Sequence, residues 1–125
     1  MDWRGPLAPG LFWGKLDRPD KTLPPLAWHP LEDHCIDVAC CAEALLTRTL
    51  LGDRLATLGG QANLHHGQVA RLCVLAGLHD LGKFNHGFQA KDGRGGPTAG
   101  HVSEGVALIG VMLANEPETD EVIAS

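Results

Sequence analysis

The sequence predicts an all-α domain. Apolar residues recur at spacings of three and four in three separate stretches, Gly and Pro fall between those stretches, and no segment shows strand-like alternation of useful length.

The elements follow in order. Residues 1–30 hold Trp3, Trp13 and Trp28 among Pro and Gly, and read as an arm or loops laid over a core. Pro24-Pro25 and Pro30 interrupt any helix there. His29-Pro30 marks a helix start, with Pro30 in the first turn and Glu32 and Asp33 near the positive end of the dipole. The pattern is helical over residues 31–51, with Leu31, His34, Val38, Cys41 and Leu45 on one face and Gly52 as the stop. A looser segment follows, punctuated by Gly59-Gly60. A second helix runs over about residues 68–81. On it Val69, Leu72, Cys73, Ala76 and Asp80 share a face, His79 borders that face, and Gly82 closes the helix. Residues 84–90 suit a short helical turn, and 91–97 a loop. A third helix over residues 100–114 aligns His101, Gly105, Leu108 and Met112. The tail from Asn115 is acidic and poorly patterned until Val122-Ile123, and there is no internal repeat.

A length of 125 residues suits one small domain. The net charge of −5 argues against binding nucleic acid through a general basic coat. It leaves a metal site open, because a bound cation supplies its own positive charge. Cys35, Cys40, Cys41 and Cys73 form no C-x-x-C pair and lie in apolar, helix-like stretches, so buried thiols in a reducing compartment are expected. The N-terminal residues MDWRGP lack the apolar run of a signal peptide, and no stretch is apolar enough to span a membrane. The expected location is cytoplasmic.

The chemistry centres on His79-Asp80. Neighbours on a helix diverge by about 100°, yet both can reach an ion placed between their directions beyond the helix end. Imidazole with carboxylate suits Fe, Mn, Co, Ni or Zn, and a carboxylate can bridge two ions. Taken alone, the dipeptide fits a helix-end His beside a solvated Asp better than a metal site, since short motifs recur by chance. His34 and His101 add weight, since each lies on the inward face of its own helix, although either can be a hydrogen-bonded core residue. Three helices that each aim a histidine at a common centre are how small metal sites in bundles are built. Lys83 can offset phosphate charge, or simply favour the negative end of the preceding helix. Asp37, one turn after His34, can orient that imidazole. His65-His66 form a possible metal pair or exposed loop histidines, and His86 a substrate path or surface. Phe12 and the tryptophans can stack on bases or pack in the core.

Taken together these residues resemble the HD nuclease domain of type I CRISPR-associated helicase-nucleases, within the HD superfamily of metal-dependent phosphohydrolases. WHPLEDHCIDVA at residues 28–39 resembles the family's first helix, and LAGLHDLGKFNHGFQ at 75–89 its central motif with the G-F-Q tail. GHVSEG at 100–105 resembles the third motif, and FWGKL at 12–16 the N-terminal lead. The resemblance implies an HD-domain helical bundle that cleaves single-stranded DNA for a CRISPR surveillance complex in antiviral defence. It also implies a superfamily 2 helicase, fused or separate, as partner. By position, His34, His79 and Asp80 match first-metal ligands, with Asp80 also placed to bridge, and His101 matches a second-metal ligand. Lys83 matches a lysine beside the site, so Asp80 and Lys83 are the residues expected to act in catalysis. The cofactor expected is one or two divalent ions from among Fe, Mn, Co, Ni and Mg.

The family pattern continues past residue 125, usually to a histidine pair and a distal aspartate, and Asp120 falls too early to match it. The expected organisation is therefore an arm over 1–30, a partial HD domain over 31–114, and the start of further helices over 115–125. Such a fragment should bind metal weakly and expose apolar surface. Two rival readings share the sequence: an HD phosphohydrolase acting on nucleotides or cyclic nucleotides, and a non-catalytic binding module.

Overall fold

Helix α1 spans Leu31–Arg48. Pro30 caps it with extended backbone, Glu32 and Asp33 fill its first turn and Arg48 its last, so charge complements the helix dipole at both ends. The computed structural model describes residues 3–5, 11–93 and 95–114. The tail from Asn115, with Asp120, Val122 and Ile123, lies outside the described residues, as do the side chains of Leu108 and Met112.

The inward stripe of α1 runs through His34, Val38, Ala42 and Leu46, in steps of four. Cys41 and Leu45, expected on that stripe, are exposed. Steps of four follow one ridge of the helix, whereas alternating threes and fours leave it. The helix ends before residue 51 because Thr49 is extended and its hydroxyl takes over the local bonding. That hydroxyl donates to the Leu45 carbonyl at 2.6 Å and accepts the Leu51 N–H at 3.2 Å. Gly52 is no stop: helix α2, Leu51–Leu58, runs through it.

Helix α3, His66–Gly77, starts two residues before the expected position because His65 caps it. His65 Nδ1 accepts the Gln68 N–H at 3.3 Å, and Gln68 Oε1 accepts the His65 N–H at 3.0 Å. After Gly77 the backbone tightens into a 3₁₀ segment, Leu78–Lys83, that carries through Gly82. Helix α4, His86–Gln89, extends as a second 3₁₀ turn, Ala90–Asp92, into the expected loop. Gly93, at φ 101°, ends it. Helix α5 is Val102–Ala114.

The helical class is as expected, but the expectation of loops without strands over residues 1–30 is corrected. Strands β1, Trp13–Asp17, and β2, Ala27–Pro30, pair antiparallel, with Leu16 opposite Trp28 and Asp17 opposite Ala27. Arg4 adds a single bridge to Trp28. Strands of five and four residues are too short for alternation to register in the sequence. The hairpin belongs to the core: Trp13, Trp28 and Phe88 are buried together with Leu16 against them. Trp13 and Phe88 have ring centroids 4.9 Å apart.

Helix α1 packs chiefly on α3, and α5 on the 3₁₀ segment. Val102, Val106, Ile109 and Val111 of α5 face solvent. All four cysteines are free, but Cys40 and Cys41 are exposed on the outer face of α1. The expectation of four buried thiols therefore fails for that pair and holds only partly for Cys35 and Cys73, which are half-buried. Among the described residues no helix is long and apolar enough to cross a membrane.

Candidate metal centre

The 3₁₀ segment sets the centre. At three residues per turn, positions i and i+3 eclipse, so Lys83 lies directly over Asp80. Its Nζ is 2.6 Å from Asp80 Oδ2. His34, buried on α1, brings Nε2 to 3.1 Å from the same oxygen, and His79 brings its Nε2 to 3.1 Å. Possible ligand atoms of His34, His79 and Asp80 all lie within 4.8 Å of one another. His101, at the entry to α5, places Nε2 3.6 Å from Asp80 Oδ1. The three histidines singled out in the sequence thus surround the carboxylate of the fourth residue, Asp80, with His34 and Asp80 buried and His79 and His101 open to solvent.

Three contacts hold this arrangement. A Cβ on Gly82 would overlap the His101 carbonyl, so only glycine lets the start of α5 lie this close to the 3₁₀ segment. Asn85 Nδ2 donates to the carbonyls of Gly82 and Gly100, the latter at 3.0 Å. Its Oδ1 accepts the Phe88 N–H at 2.6 Å and caps α4. On the other side, a Cβ on Gly14 would sit 2.8 Å from the His34 Cβ, so β1 touches the imidazole stem.

Burial, and then the nearby Lys83 charge, hold the His34 imidazole below its ordinary range, against the opposing pull of Asp80. Burial pushes the Asp80 carboxyl up, but the hydrogen bond and charge of Lys83, with the His79 and His34 charges, outweigh it and leave it lowered. Burial first, and the Asp80 charge second, raise the Cys35 thiol, which therefore stays protonated beside the site.

The donor set fits a cation. His79 Nδ1 is 2.8 Å from the Ala76 carbonyl, an acceptor, so Nδ1 carries the proton. In the neutral ring Nε2 then presents its lone pair to the Asp80 carboxylate. The Lys83 ammonium, 2.6 Å from the same oxygen, offsets the repulsion of these lone pairs, and a divalent ion between them would do so too. A backbone-anchored imidazole is the usual form of a metal-bound histidine. Two imidazoles and a carboxylate suit a borderline divalent ion. His34, His79 and Asp80 are the group able to hold it.

Other expectations resolve differently. Asp37 pairs with the buried His29, at 3.2 Å from its Nε2, so it supports His29 and not His34. Three residues along a helix turn the side chain about 60° past His34, toward the residue before the helix. His65 is a helix cap, and His66 opens α3 exposed. His86 is exposed with its ring 5.8 Å from that of Phe12. Lys83, for which a solvated position is the alternative expectation, is only 13% exposed and also donates to the Gly14 carbonyl at 3.0 Å. Sequence reasoning missed the roles of Gly14 and Gln89, whose contacts with residues distant in sequence leave no local pattern, and of Asn85, an N-cap residue type three positions before Phe88. Gln89 was visible only as the last letter of the G-F-Q tail.

A helical frame closing two histidines and an aspartate around an H-D dipeptide defines an HD-type, metal-dependent hydrolase domain. The family model described as Cas3, HD domain, matches residues 13–115, and the chain belongs to that family. Its members are metal-dependent hydrolases of CRISPR systems acting on nucleic acid. Comparison with curated proteins finds no match, and none of the solved structures matches.

Proposed function

We propose that this domain is a metal-dependent endonuclease that cuts single-stranded DNA exposed by a CRISPR surveillance complex. His34, His79 and Asp80 hold the first divalent ion, and His101 with Asp80 serves a second. A superfamily 2 helicase, fused or separate, delivers the strand in the cytoplasm. The observation that carries this reading is the approach of His34, His79 and Lys83 nitrogens to a single Asp80 oxygen, with His79 Nδ1 held 2.8 Å from the Ala76 carbonyl.

An ion held there would supply Lewis acidity, lowering the pKa of a water and offsetting charge on the scissile phosphate. The chain's own residues do the rest. Ala76 fixes the His79 tautomer through its carbonyl. The lowered pKa of His34 keeps that ring neutral and able to donate its lone pair. Lys83 holds Asp80 ionised and keeps an ammonium beside the carboxylate, where it would help offset phosphate charge. His79 and His101 lie on the open side, where a flexible single strand can approach. Base identity plays little part, since phosphate contacts position a strand without reading its sequence.

The test is cleavage of single-stranded DNA, duplex DNA and mononucleotides with added Mn2+, with and without chelator. Metal-dependent cutting confined to the single strand supports the reading. Hydrolysis of mononucleotides instead supports a nucleotide phosphohydrolase. DNA binding with neither activity supports a binding module.

A further inference from the structure

Gln89 lies at the end of α4 and is 4% exposed. Its amide makes three hydrogen bonds. Oε1 accepts the Trp13 N–H at 2.8 Å, and Nε2 donates to the Trp13 carbonyl at 3.1 Å and to the Lys83 carbonyl at 2.9 Å. The Gln89 backbone carbonyl also accepts the Trp13 indole N–H at 3.3 Å. The side chain therefore acts as a one-residue strand partner along β1, bonding both backbone groups of Trp13. Trp13 lies opposite Pro30 at the irregular end of the hairpin, where Pro30 has no N–H to offer.

The next residue is Gly14, whose carbonyl accepts from Lys83 Nζ at 3.0 Å. The path from the Lys83 carbonyl through Gln89, Trp13 and Gly14 back to Lys83 Nζ is a closed ring of hydrogen bonds that starts and ends on one lysine. A lysine side chain has wide rotamer freedom, which must be removed to hold its ammonium on one atom. The ring fixes both ends of that side chain, and its ammonium rests on Asp80 Oδ2.

We propose that Gln89 is a positioning residue that holds the Lys83 ammonium on Asp80 by tying strand β1 to the Lys83 backbone. It touches neither substrate nor ion, and acts only through Lys83. The proposal builds on the reading of His34, His79 and Asp80 as a metal centre, but the ring itself stands without metal.

A general fold-stabilising glutamine would predict the same loss of stability whatever residue 83 is. A positioning glutamine predicts coupling to Lys83. The experiment is a double-mutant cycle on the full chain, reading Mn2+ affinity by calorimetry. Removing a like charge near the ion in Lys83→Met should tighten Mn2+ binding about fivefold. Gln89→Met should shift the affinity in the same direction by a smaller factor, and should add nothing when combined with Lys83→Met. An equal Gln89→Met shift in both backgrounds, or no shift in either, overturns the proposal.

A second measurement covers a Gln89 variant that does not fold, and needs no metal. In the metal-free wild-type chain, nitrogen NMR should show one lysine ammonium protected from exchange and absent in Lys83→Met. It should also show slowly exchanging Gln89 side-chain amide protons. A freely exchanging Lys83 ammonium overturns the proposal. Failure of the wild-type chain to bind Mn2+ counts against the metal centre, and leaves the NMR result to decide the ring.

Discussion

His79 and Asp80 are adjacent in sequence, and the His79 ring turns back so that its Nε2 meets Asp80 Oδ2 at 3.1 Å while Nδ1 is tied to the Ala76 carbonyl. Asp80 is thus the shared element of the site: His34, His79, His101 and Lys83 all converge on its two oxygens. Asp80→Ala should abolish Mn2+ binding and DNA cleavage. Helical content by circular dichroism should be largely unchanged, because α1, α3 and α5 pack through apolar faces and glycine contacts that the carboxylate does not make. Retained stoichiometric Mn2+ in this variant would move the centre elsewhere.

His65→Ala tests the competing histidine pair. His65 closes a reciprocal cap with Gln68 and has no contact with the centre. Its loss should cost about 1 kcal/mol of stability. For a chain of this size that is a fall in Tm of about 4 °C. Mn2+ affinity should be unchanged. A weaker ion affinity would bring His65 into the site.

The candidate site was legible because its residues leave local signals. His34 and His101 each fall on the inward face of a helical pattern, His79 borders such a face, and Asp80 follows His79 directly. Long-range hydrogen bonding was not legible. Nothing around Gln89 signals that its amide will bond Trp13 from 76 positions away. Nothing around Gly14 signals its approach to His34. The hairpin was missed for the same reason, since its pairing is non-local and its strands are short. The His65 cap did leave a signal, because H-x-x-Q has the spacing of a capping box with histidine in place of serine or threonine. Asp37 was misassigned because proximity along a helix was read as facing, whereas His29, just outside the helix, lies nearer its carboxylate.

Acid should weaken the metal-free fold. His34 is lowered chiefly by burial, and Asp80 is lowered because Lys83 outweighs the effect of burial. A depressed pKa means that the unfolded chain binds the proton more readily, so its stabilisation is complete above the unfolded value and is lost as pH falls. The His34 contribution should fade below about pH 6.5, and the Asp80 contribution below about pH 4. With chelator present, urea midpoints should fall steadily from neutral pH downward. The slope between about pH 7 and 5 should be shallower in His34→Gln, which removes the group that titrates there. An unchanged slope would assign that region to other histidines.

The contact between Gly82 and the start of α5 gives the last prediction. A Cβ at Gly82 would overlap the His101 carbonyl and crowd the Gly105 N–H, both of them backbone groups that cannot rotate away. Gly82→Ala should therefore push α5 off the 3₁₀ segment at a cost of about 1–3 kcal/mol. At the reverse contact, a Cβ on Gly105 would meet the Gly82 nitrogen at 3.2 Å and Cα at 3.3 Å, so Gly105→Ala should cost less. His101 moves with α5, while His34, His79 and Asp80 lie on α1 and the 3₁₀ segment. Calorimetric titration with Mn2+ should accordingly show the weaker binding event lost in Gly82→Ala and the tighter one kept, with Gly105→Ala intermediate. Loss of both events in a chain that keeps its helical signal would mean that His101 belongs to the same ion as the other three residues, and that the centre holds one metal.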